Sequence, residues 1–258
     1  MSSHTDYDES FFKSIRDSSE RSASIVVPII IELLRPATVI DIGCGDGTWL
    51  CEFKKRGVSK IVGVDGAGLN ERELRIPKDQ YFVQDLSKSF SRDEKFDLAI
   101  SLEVAEHLRE ESADLFVGSL VHLAPLVLFS AAIPYQGGTA HINEQWPEYW
   151  AQKFKERKFL PIDCIRPRIW DNKDVAWWYS QNMILFVEES HLYQSPDLLR
   201  LAEQNNRGPI AIVHPRCYTS AIKEIDRLMD ANPPSFLMLV RRLPSALIRL
   251  LARILRSD

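Results

Sequence analysis

Side chains that can transfer protons or bind cations follow two apolar segments of this 258-residue chain. Glu103, Glu106 and His107 lie in LEVAEHL, at the end of the apolar segment FDLAISL. Their i, i+3 and i+4 spacing predicts that they share one face of the helix that follows this segment. His141 and Glu144 lie in GGTAHINEQW, which comes after the apolar segment LVLFSAAI. An imidazole titrates near neutral pH and can act as a general base, whereas imidazole and carboxylate groups together can bind a divalent cation. Either chemistry can activate a hydroxyl group, so these residues are candidates for an active site.

A second set of residues predicts a nucleoside-binding site. The sequence VIDIGCGDGTWLCEF indicates a strand, a loop with Gly43, Gly45 and Gly47, and then a helix, so that a ligand can approach backbone N–H groups at the helix N-terminus. Asp65 ends the next predicted strand, where a carboxylate can accept hydrogen bonds from ribose hydroxyls. Asp85 ends the third predicted strand, where it can meet an adenine amino group. The GxGxG spacing differs from the GxGxxG of nicotinamide dinucleotide domains.

The elements that position these residues are predicted by short apolar segments that alternate with helical patterns. These segments lie at 38–43, 60–65, 80–86, 96–102 and 126–133. Their alternation predicts a mostly parallel sheet with helices on both faces. Residues 159–170 and 182–189 form two further strand-like segments with no convincing helix between them, which predicts an antiparallel pair at the sheet edge. The expected fold is therefore α/β and doubly wound, with a mostly parallel seven-stranded sheet, a C-terminal antiparallel strand and a C-terminal helical extension.

The motifs DIGCGDG, GVDG, QDL and FDLAISLEVAEHL together resemble, in order and spacing, those of class I S-adenosylmethionine-dependent methyltransferases. The resemblance covers residues 36–190 and implies a Rossmann-like domain with S-adenosylmethionine as its cofactor. It also implies that the glycine loop approaches the methionine end of the cofactor, that Asp65 binds the ribose and Asp85 the adenine edge, and that Leu86 and Leu102 flank the ring. The full predicted cofactor-binding set is Asp41, Gly43, Cys44, Gly45, Gly47, Asp65, Gly66, Asp85, Leu86 and Leu102.

The resemblance leaves three functions open for the Glu and His residues. In the first, His141 is a general base, with Glu144 and His107 as further catalytic candidates. In the second, Glu103, Glu106, His107 and His141 bind Mg²⁺ or Mn²⁺, because ExxEH with a distal histidine resembles the metal site of small-RNA 2′-O-methyltransferases of the Hen type. ExxEH also occurs in ubiquinone-pathway O-methyltransferases. In the third, Glu106 and His107 only pair locally, as in metal-free methyltransferases that share EVAEHL.

The acceptor is predicted from aromatic and amide residues after the fifth strand, namely Tyr135, Asn143, Trp146 and Trp170. Aromatic faces with polar tips suit a sugar ring or a planar aromatic acceptor. The segment HINEQWPEYW resembles methyltransferases encoded among bacterial cell-surface polysaccharide genes, which implies a sugar hydroxyl of a glycan or glycolipid. The alternatives are N- or C-methylation of a small metabolite and a non-catalytic cofactor-binding partner protein.

Composition limits the partners and the cellular compartment. A net charge of -4 argues against a nucleic-acid partner, since such proteins usually carry a basic excess. Four scattered cysteines without metal-ligand spacing predict reduced thiols in a cytoplasmic protein.

Four regions are expected along the chain: an N-terminal helical segment (1–35), the methyltransferase domain (36–190), a helical extension (191–232) and a basic amphipathic helix (233–258). In the first region, Tyr7, Phe11 and Phe12 could form a lid over the cofactor. In the last, residues 236–258 predict a peripheral contact with the inner face of an anionic membrane. The alternative is that this apolar stripe packs on its own domain or on a second subunit in a homodimer.

Overall fold

The computed structural model describes residues 9–66, 73–205 and 208–231. It contains a single seven-stranded sheet among these residues. The strands are β1 (Thr38–Ile42), β2 (Lys60–Asp65), β3 (Tyr81–Val83), β4 (Leu98–Leu102), β5 (Leu126–Ser130), β6 (Phe159–Ile162) and β7 (Ile184–Glu188). Their order in the sheet is β3-β2-β1-β4-β5-β7-β6.

The strand directions confirm the predicted α/β fold. Strands β1 to β5 pair in parallel, whereas β7 is antiparallel to both β5 and β6. Every residue of β4 and β5 is buried, as expected for central parallel strands that are covered on both faces. The reversed strand β7 lies inside the C-terminal half of the sheet, and β6 forms its edge.

Helices cover both faces of the sheet. They are α1 (Glu9–Leu34), α2 (Thr48–Lys55), α3 (Ala113–Leu123), α4 (Pro147–Lys155), α5 (Arg166–Ile169), α6 (Trp177–Asn182), α7 (Glu189–Gln194), α8 (Pro196–Asn205) and α9 (Pro215–Ala231). On one face, Val26 of α1 and Leu50 of α2 belong to the same buried apolar cluster. On the other face, Phe116 of α3 and Phe154 of α4 belong to a second cluster. The two clusters give the doubly wound arrangement.

The prediction that no helix separates the last two strands is wrong. Strand β6 ends at Ile162, and the short helices α5 and α6 follow before β7. A reason for the early end is the turn in which the guanidinium group of Arg166 donates two hydrogen bonds to Asp163, at 2.8 and 2.7 Å. Pro167 in the first turn of α5 is compatible with a helix start, because the first N–H groups of a helix have no partner within it.

The chain divides into two compact units, Met1–Cys217 and Tyr218–Asp258. The second unit contains most of α9, and the apolar side chains exposed on it are Tyr218, Ile222, Ile225, Leu228 and Met229. Among the described residues, no helix combines the length and apolar character needed to cross a membrane. The predicted basic helix at 236–258 and Tyr7 lie outside the described residues, as do the side chains of Phe11 and Phe12. The predicted membrane, homodimer and lid contacts therefore stay predictions.

Candidate active site

The glycine loop after β1 is fixed by the backbone of β2. The N–H groups of Gly43 and Cys44 both donate to the carbonyl oxygen of Val64, at 2.7 and 3.1 Å. Gly43 and Gly45 have φ angles of 86° and 53°, in the left-handed region that favours glycine. A Cβ added to Gly43 would lie 2.3 Å from a methyl carbon of Val104, whereas one added to Gly45 would meet no described atom within 4 Å. The loop therefore packs on the turn after β4 at Gly43 and stays open to a ligand at Gly45.

A cleft of about 610 Å³ lies beside this loop at the carboxyl edge of the sheet. Its volume falls in the usual range for a small-molecule site. The described residues that line it are Gly43, Gly45, Asp65, Gly66, Asp85, Leu86, Ser87, Glu103, Val104, His107 and Leu108. Cofactor-binding candidates from the glycine loop, β2 and the end of β3 thus share one cleft with two of the predicted metal ligands.

Two carboxylates of the cleft are oriented by local hydrogen bonds. Asp65 accepts a hydrogen bond from the backbone N–H of Gly45 at 2.8 Å. Asp85 accepts hydrogen bonds from the hydroxyl and the N–H of Ser87, at 2.6 and 3.0 Å, and pairs with Lys88 at 2.9 Å. The Ser87 and Lys88 contacts lower the pKa of Asp85 to about 2. Asp85 therefore offers this edge of the cleft an ionised carboxylate that can accept hydrogen bonds from hydroxyl and amino groups.

Other predicted cofactor-binding residues do not line this cleft with their side chains. Asp41 and Leu102 are buried, and burial raises the pKa of Asp41, with a further contribution from the Asp65 carboxylate. The thiol of Cys44 is buried in the apolar cluster, and burial raises its pKa. Gly47, with φ 83°, precedes the first turn of α2. Cys44 and Gly47 shape the loop, so their contribution to a ligand site is conformational.

The turn after β4 differs from the predicted helix. Glu103 has a φ of 57°, and the residues that follow form only a short 3₁₀ turn, Ala105–His107. Helix α3 begins later, at Ala113, so the prediction that Glu103, Glu106 and His107 share one helix face is wrong. A reason is that the backbone carbonyl of Glu106 accepts the N–H groups of Ile142 and Asn143, at 2.9 and 3.0 Å, and so bonds the turn to the segment after β5.

This arrangement brings Glu106, His107 and His141 together. Each offers one ligand atom, and these three atoms lie within 4.8 Å of one another. The two imidazole rings are 4.9 Å apart and nearly perpendicular. Glu106 is fully buried, and neither of its carboxylate oxygens has a hydrogen-bond partner among the described residues. Since buried carboxylates are normally hydrogen-bonded or bound to a cation, the three residues fit a divalent metal ion.

Both histidines are oriented through the same ring nitrogen. Nδ1 of His141 lies 3.0 Å from Oε1 of Glu144, and Nδ1 of His107 lies 3.4 Å from the carbonyl oxygen of Ala140. A proton on each Nδ1 satisfies these oxygens and leaves each Nε2 with a lone pair, as in the histidine ligands of metal sites. Burial and the nearby His141 lower the pKa of His107, and burial and Glu103 raise the pKa of Glu106.

Glu103, the fourth predicted metal ligand, is outside this group of three ligand atoms, although its carboxyl group borders that of Glu106. Its carboxylate accepts hydrogen bonds from the side-chain amides of Asn182, at 3.1 and 3.3 Å, and of Gln136, at 3.1 Å. Gln181 extends this network, since its amide donates to Gln136 at 2.9 Å. These three amide residues could not be identified from the sequence, because nothing in their spacing indicates that they meet.

The predicted acceptor residues have different environments. Tyr135 is 90% exposed and Trp146 is 44% exposed, both close in sequence to His141. Asn143 is buried, and its amide oxygen accepts a hydrogen bond from Gln145 at 3.0 Å. The ring of Trp170 packs on the imidazole of His214 at 4.7 Å. Tyr135 and Trp146 remain open to a ligand, whereas Trp170 has an intramolecular partner.

Gly138 is a further residue that the sequence analysis missed. A Cβ at this position would lie 2.2 Å from the His141 ring, and its φ is 151°. The close approach of its backbone to the imidazole requires glycine here. The feature of the sequence that could have indicated this requirement is the Gly137-Gly138 pair shortly before His141.

Solved structures similar to the chain include two methyltransferases. The methyltransferase domain of a bacterial Hen1, CtHen1-CN, has 21% sequence identity and a TM-score of 0.48, over 66% of this chain and 99% of that chain. Magnesium protoporphyrin IX methyltransferase from Synechocystis, in a structure with bound SAM, has 19% identity and a TM-score of 0.49, over 68% of this chain and 82% of that chain.

Curated relatives match a shorter segment. A ubiquinone biosynthesis O-methyltransferase from Bartonella bacilliformis is 32% identical over 87 residues, which are 31% of this chain and 34% of that protein. The protein of the same name from a Methylobacterium species is 34% identical over 90 residues, which are 32% of this chain and 35% of that protein. The chain thus spans about a third of the length of the curated relatives it matches.

The family model described as "Methyltransferase domain" matches residues 17–206, which is most of the chain. The chain therefore belongs to this methyltransferase-domain family, and its sheet order and glycine loop are those expected of a class I S-adenosylmethionine-dependent methyltransferase.

Proposed function

We propose that the protein is an O-methyltransferase in which Glu106, His107 and His141 bind a divalent cation that activates the acceptor hydroxyl. The observation that carries this proposal is the meeting of these three side chains beside the cofactor cleft, with both Glu106 oxygens lacking a hydrogen-bond partner among the described residues. His107 also lines that cleft, so cation and cofactor would be neighbours.

For O-methylation, the protein mainly has to position the cofactor and the acceptor and to help the acceptor hydroxyl lose its proton. When bound, S-adenosylmethionine supplies a methyl group on a positively charged sulfur, and a divalent cation lowers the pKa of a hydroxyl bound to it. The glycine loop and Asp65 would hold the cofactor, and Glu106 with the two histidines would hold the cation. Bringing the reactants together in the right orientation then supplies much of the rate enhancement.

His141 can contribute in a second way, as the base that accepts the acceptor's proton. The Glu144 carboxylate at 3.0 Å orients the ring through Nδ1, which leaves Nε2 to take the proton. This alternative needs no metal ion. The two mechanisms therefore predict opposite responses to a chelator.

For the acceptor we propose a hydroxyl of a sugar, in a glycan or a glycolipid. Its support is the exposure of Tyr135 and Trp146, which flank the segment that carries His141 and can offer aromatic faces to a sugar ring. A planar aromatic hydroxyl would use the same surfaces. The names of the curated relatives favour an oxygen acceptor over nitrogen or carbon, and they do not distinguish these two classes.

The test is a methyl-transfer assay with labelled S-adenosylmethionine and a panel of sugar, catechol and amine acceptors. The expected result is transfer to a sugar hydroxyl that chelation abolishes and Mn²⁺ or Mg²⁺ restores. Turnover that survives chelation and is lost in the His141→Ala variant would favour the base mechanism. Transfer to amines alone would refute O-methylation.

A further inference from the structure

Glu103 occupies the glycine-loop end of the cofactor cleft. It lines the same cleft as Gly43 and Gly45, and the next residue, Val104, packs directly on Gly43. The carboxylate is held from one side by the amides of Gln136 and Asn182. The carboxyl group is therefore fixed in orientation, and it lies outside the set of three atoms that could hold a metal ion.

The cofactor presents a charge that this carboxylate can match. S-adenosylmethionine carries an ammonium group at its methionine end, and the methionine end is expected at the glycine loop. Of the described residues lining the cleft, the carboxylates are Asp65, Asp85 and Glu103. Asp65 and Asp85 follow β2 and β3, where the nucleoside is expected, so Glu103 is the carboxylate available to the amino acid part.

We propose that Glu103 binds the α-ammonium group of the cofactor's methionine moiety, and that Gln136 and Asn182 are positioning residues that aim its carboxylate. This inference rests on the proposed function and replaces the predicted role of Glu103 as a metal ligand. A carboxylate already held by two amide donors needs little reorganisation when the ligand binds, which favours affinity.

The positions of Gln136 and Asn182 support their role in orienting the Glu103 carboxylate. Asn182 ends α6 just before β7, and Gln136 lies in the loop after β5, so the two amides come from segments next to neighbouring strands of the sheet. Asn182 also donates to the Gln136 oxygen at 2.9 Å, which ties the two amides to each other. The carboxylate is thus held by two amides that also bond to each other.

The experiment measures the binding of three ligands to two matched variants, Glu103→Gln and Glu106→Gln. Calorimetry without metal gives the affinity for S-adenosylhomocysteine and for its analogue without the α-amino group. Electron paramagnetic resonance without cofactor gives the affinity for Mn²⁺. We expect the wild-type protein to prefer S-adenosylhomocysteine over the deaminated analogue by about tenfold or more, as for a charge-assisted hydrogen bond. In Glu103→Gln this preference should disappear while Mn²⁺ binding is kept.

The Glu106→Gln variant should behave in the opposite way and lose Mn²⁺ affinity while it keeps the preference for the amino group. Retained Mn²⁺ binding also reports that Glu103→Gln is folded. A third variant, Gln136→Met, should reduce the preference without removing the carboxylate. The inference is overturned if Glu103→Gln keeps the full preference, or if it loses Mn²⁺ binding instead. Failure of the wild-type protein to bind either S-adenosylhomocysteine or Mn²⁺ would instead overturn the proposed function.

Discussion

The Nδ1 atom of His141 lies 3.0 Å from Oε1 of Glu144, and this one carboxylate also fixes the loop in front of the histidine. Oε1 accepts the backbone N–H of Gly137 at 3.2 Å, and Oε2 accepts that of Tyr135 at 2.8 Å. Glu144 therefore sets both the ring orientation of His141 and the backbone path that leads to it. A carboxylate bonded to one ring nitrogen of a histidine fixes the ring orientation and affects the basicity of the other nitrogen. That other nitrogen can then bind a cation or take a proton.

The first prediction concerns Glu144→Gln. An amide has one acceptor oxygen where the carboxylate has two, so one of the N–H groups now bonded would face an NH₂ group. We expect turnover to fall by about 10- to 100-fold, the usual effect of removing a group that orients a metal-binding histidine. Steady-state kinetics and S-adenosylhomocysteine titration check this, and cofactor affinity should be unchanged. The matched control is Glu148→Gln on the exposed side of α4. Equal turnover in both variants would contradict the role of Glu144.

The second prediction compares Gly45→Ala with Gly57→Ala. Both glycines have positive φ angles, 53° and 90°, and a Cβ on either would meet no described atom within 4 Å. Both substitutions should cost about 1 kcal/mol or more of stability through backbone strain. Only Gly45 lines the cleft, so only Gly45→Ala should weaken S-adenosylhomocysteine binding. Calorimetry together with urea unfolding checks this, and equal affinities in the two variants would argue against a cofactor at the glycine loop.

The fold was largely predictable from the sequence because the central strands are continuous apolar segments with helical patterns between them. The exception was the region between β6 and β7. The apolar segment that begins at Phe159 continues beyond Ile162, and only the long-range packing of α5 and α6 shows that it leaves the sheet. The contacts of Arg166 with the carbonyl oxygens of Gln181 and Ile210, at 3.0 and 2.8 Å, join segments that are far apart in sequence.

The candidate site was predictable in residue type and less so in geometry. Parallel strands end at one edge of a sheet, so Asp65 and His107 could be expected in the same region, and both line the cleft. The positive φ of Glu103 could not be predicted from its residue type, and this residue lies just before the short 3₁₀ turn that holds Glu106 and His107. The amides that hold Glu103 come from two other parts of the chain, which one sequence cannot relate to each other.

The third prediction concerns pH and Asp41. Burial raises the pKa of this carboxyl in the folded state, with a contribution from Asp65. The folded state therefore holds the proton more tightly than the unfolded state does. In the cofactor-free protein this makes the free energy of unfolding fall as the pH rises above the ordinary value of 3.8, by up to about 1.4 kcal/mol per pH unit.

Asp41→Asn removes this contribution, so its stability relative to the wild-type protein should increase with pH. Urea unfolding of both proteins between about pH 4.5 and pH 7.5 measures the difference. The control is Asp79→Asn at an exposed position, which should keep the wild-type slope. Parallel curves for Asp41→Asn and the wild-type protein would contradict the raised pKa.

The fourth prediction separates two tryptophans that the sequence analysis treated alike. Trp170→Ala removes a ring that packs on His214, so it should lower the free energy of unfolding by about 2 kcal/mol and leave the Michaelis constant for the acceptor unchanged. Trp146→Ala removes an exposed ring near His141, so it should raise that Michaelis constant with little effect on stability. Thermal unfolding and acceptor titration check both variants. The reverse pattern would place the acceptor at Trp170.

The most direct test of the metal-dependent mechanism is a crystal structure with Mn²⁺ and S-adenosylhomocysteine, with an anomalous difference map recorded at the manganese edge. The expected result is a peak bonded to a Glu106 carboxylate oxygen and to Nε2 of both His107 and His141, next to cofactor density in the cleft. Cofactor density in the cleft without any anomalous peak between these three residues, at saturating Mn²⁺, would contradict it.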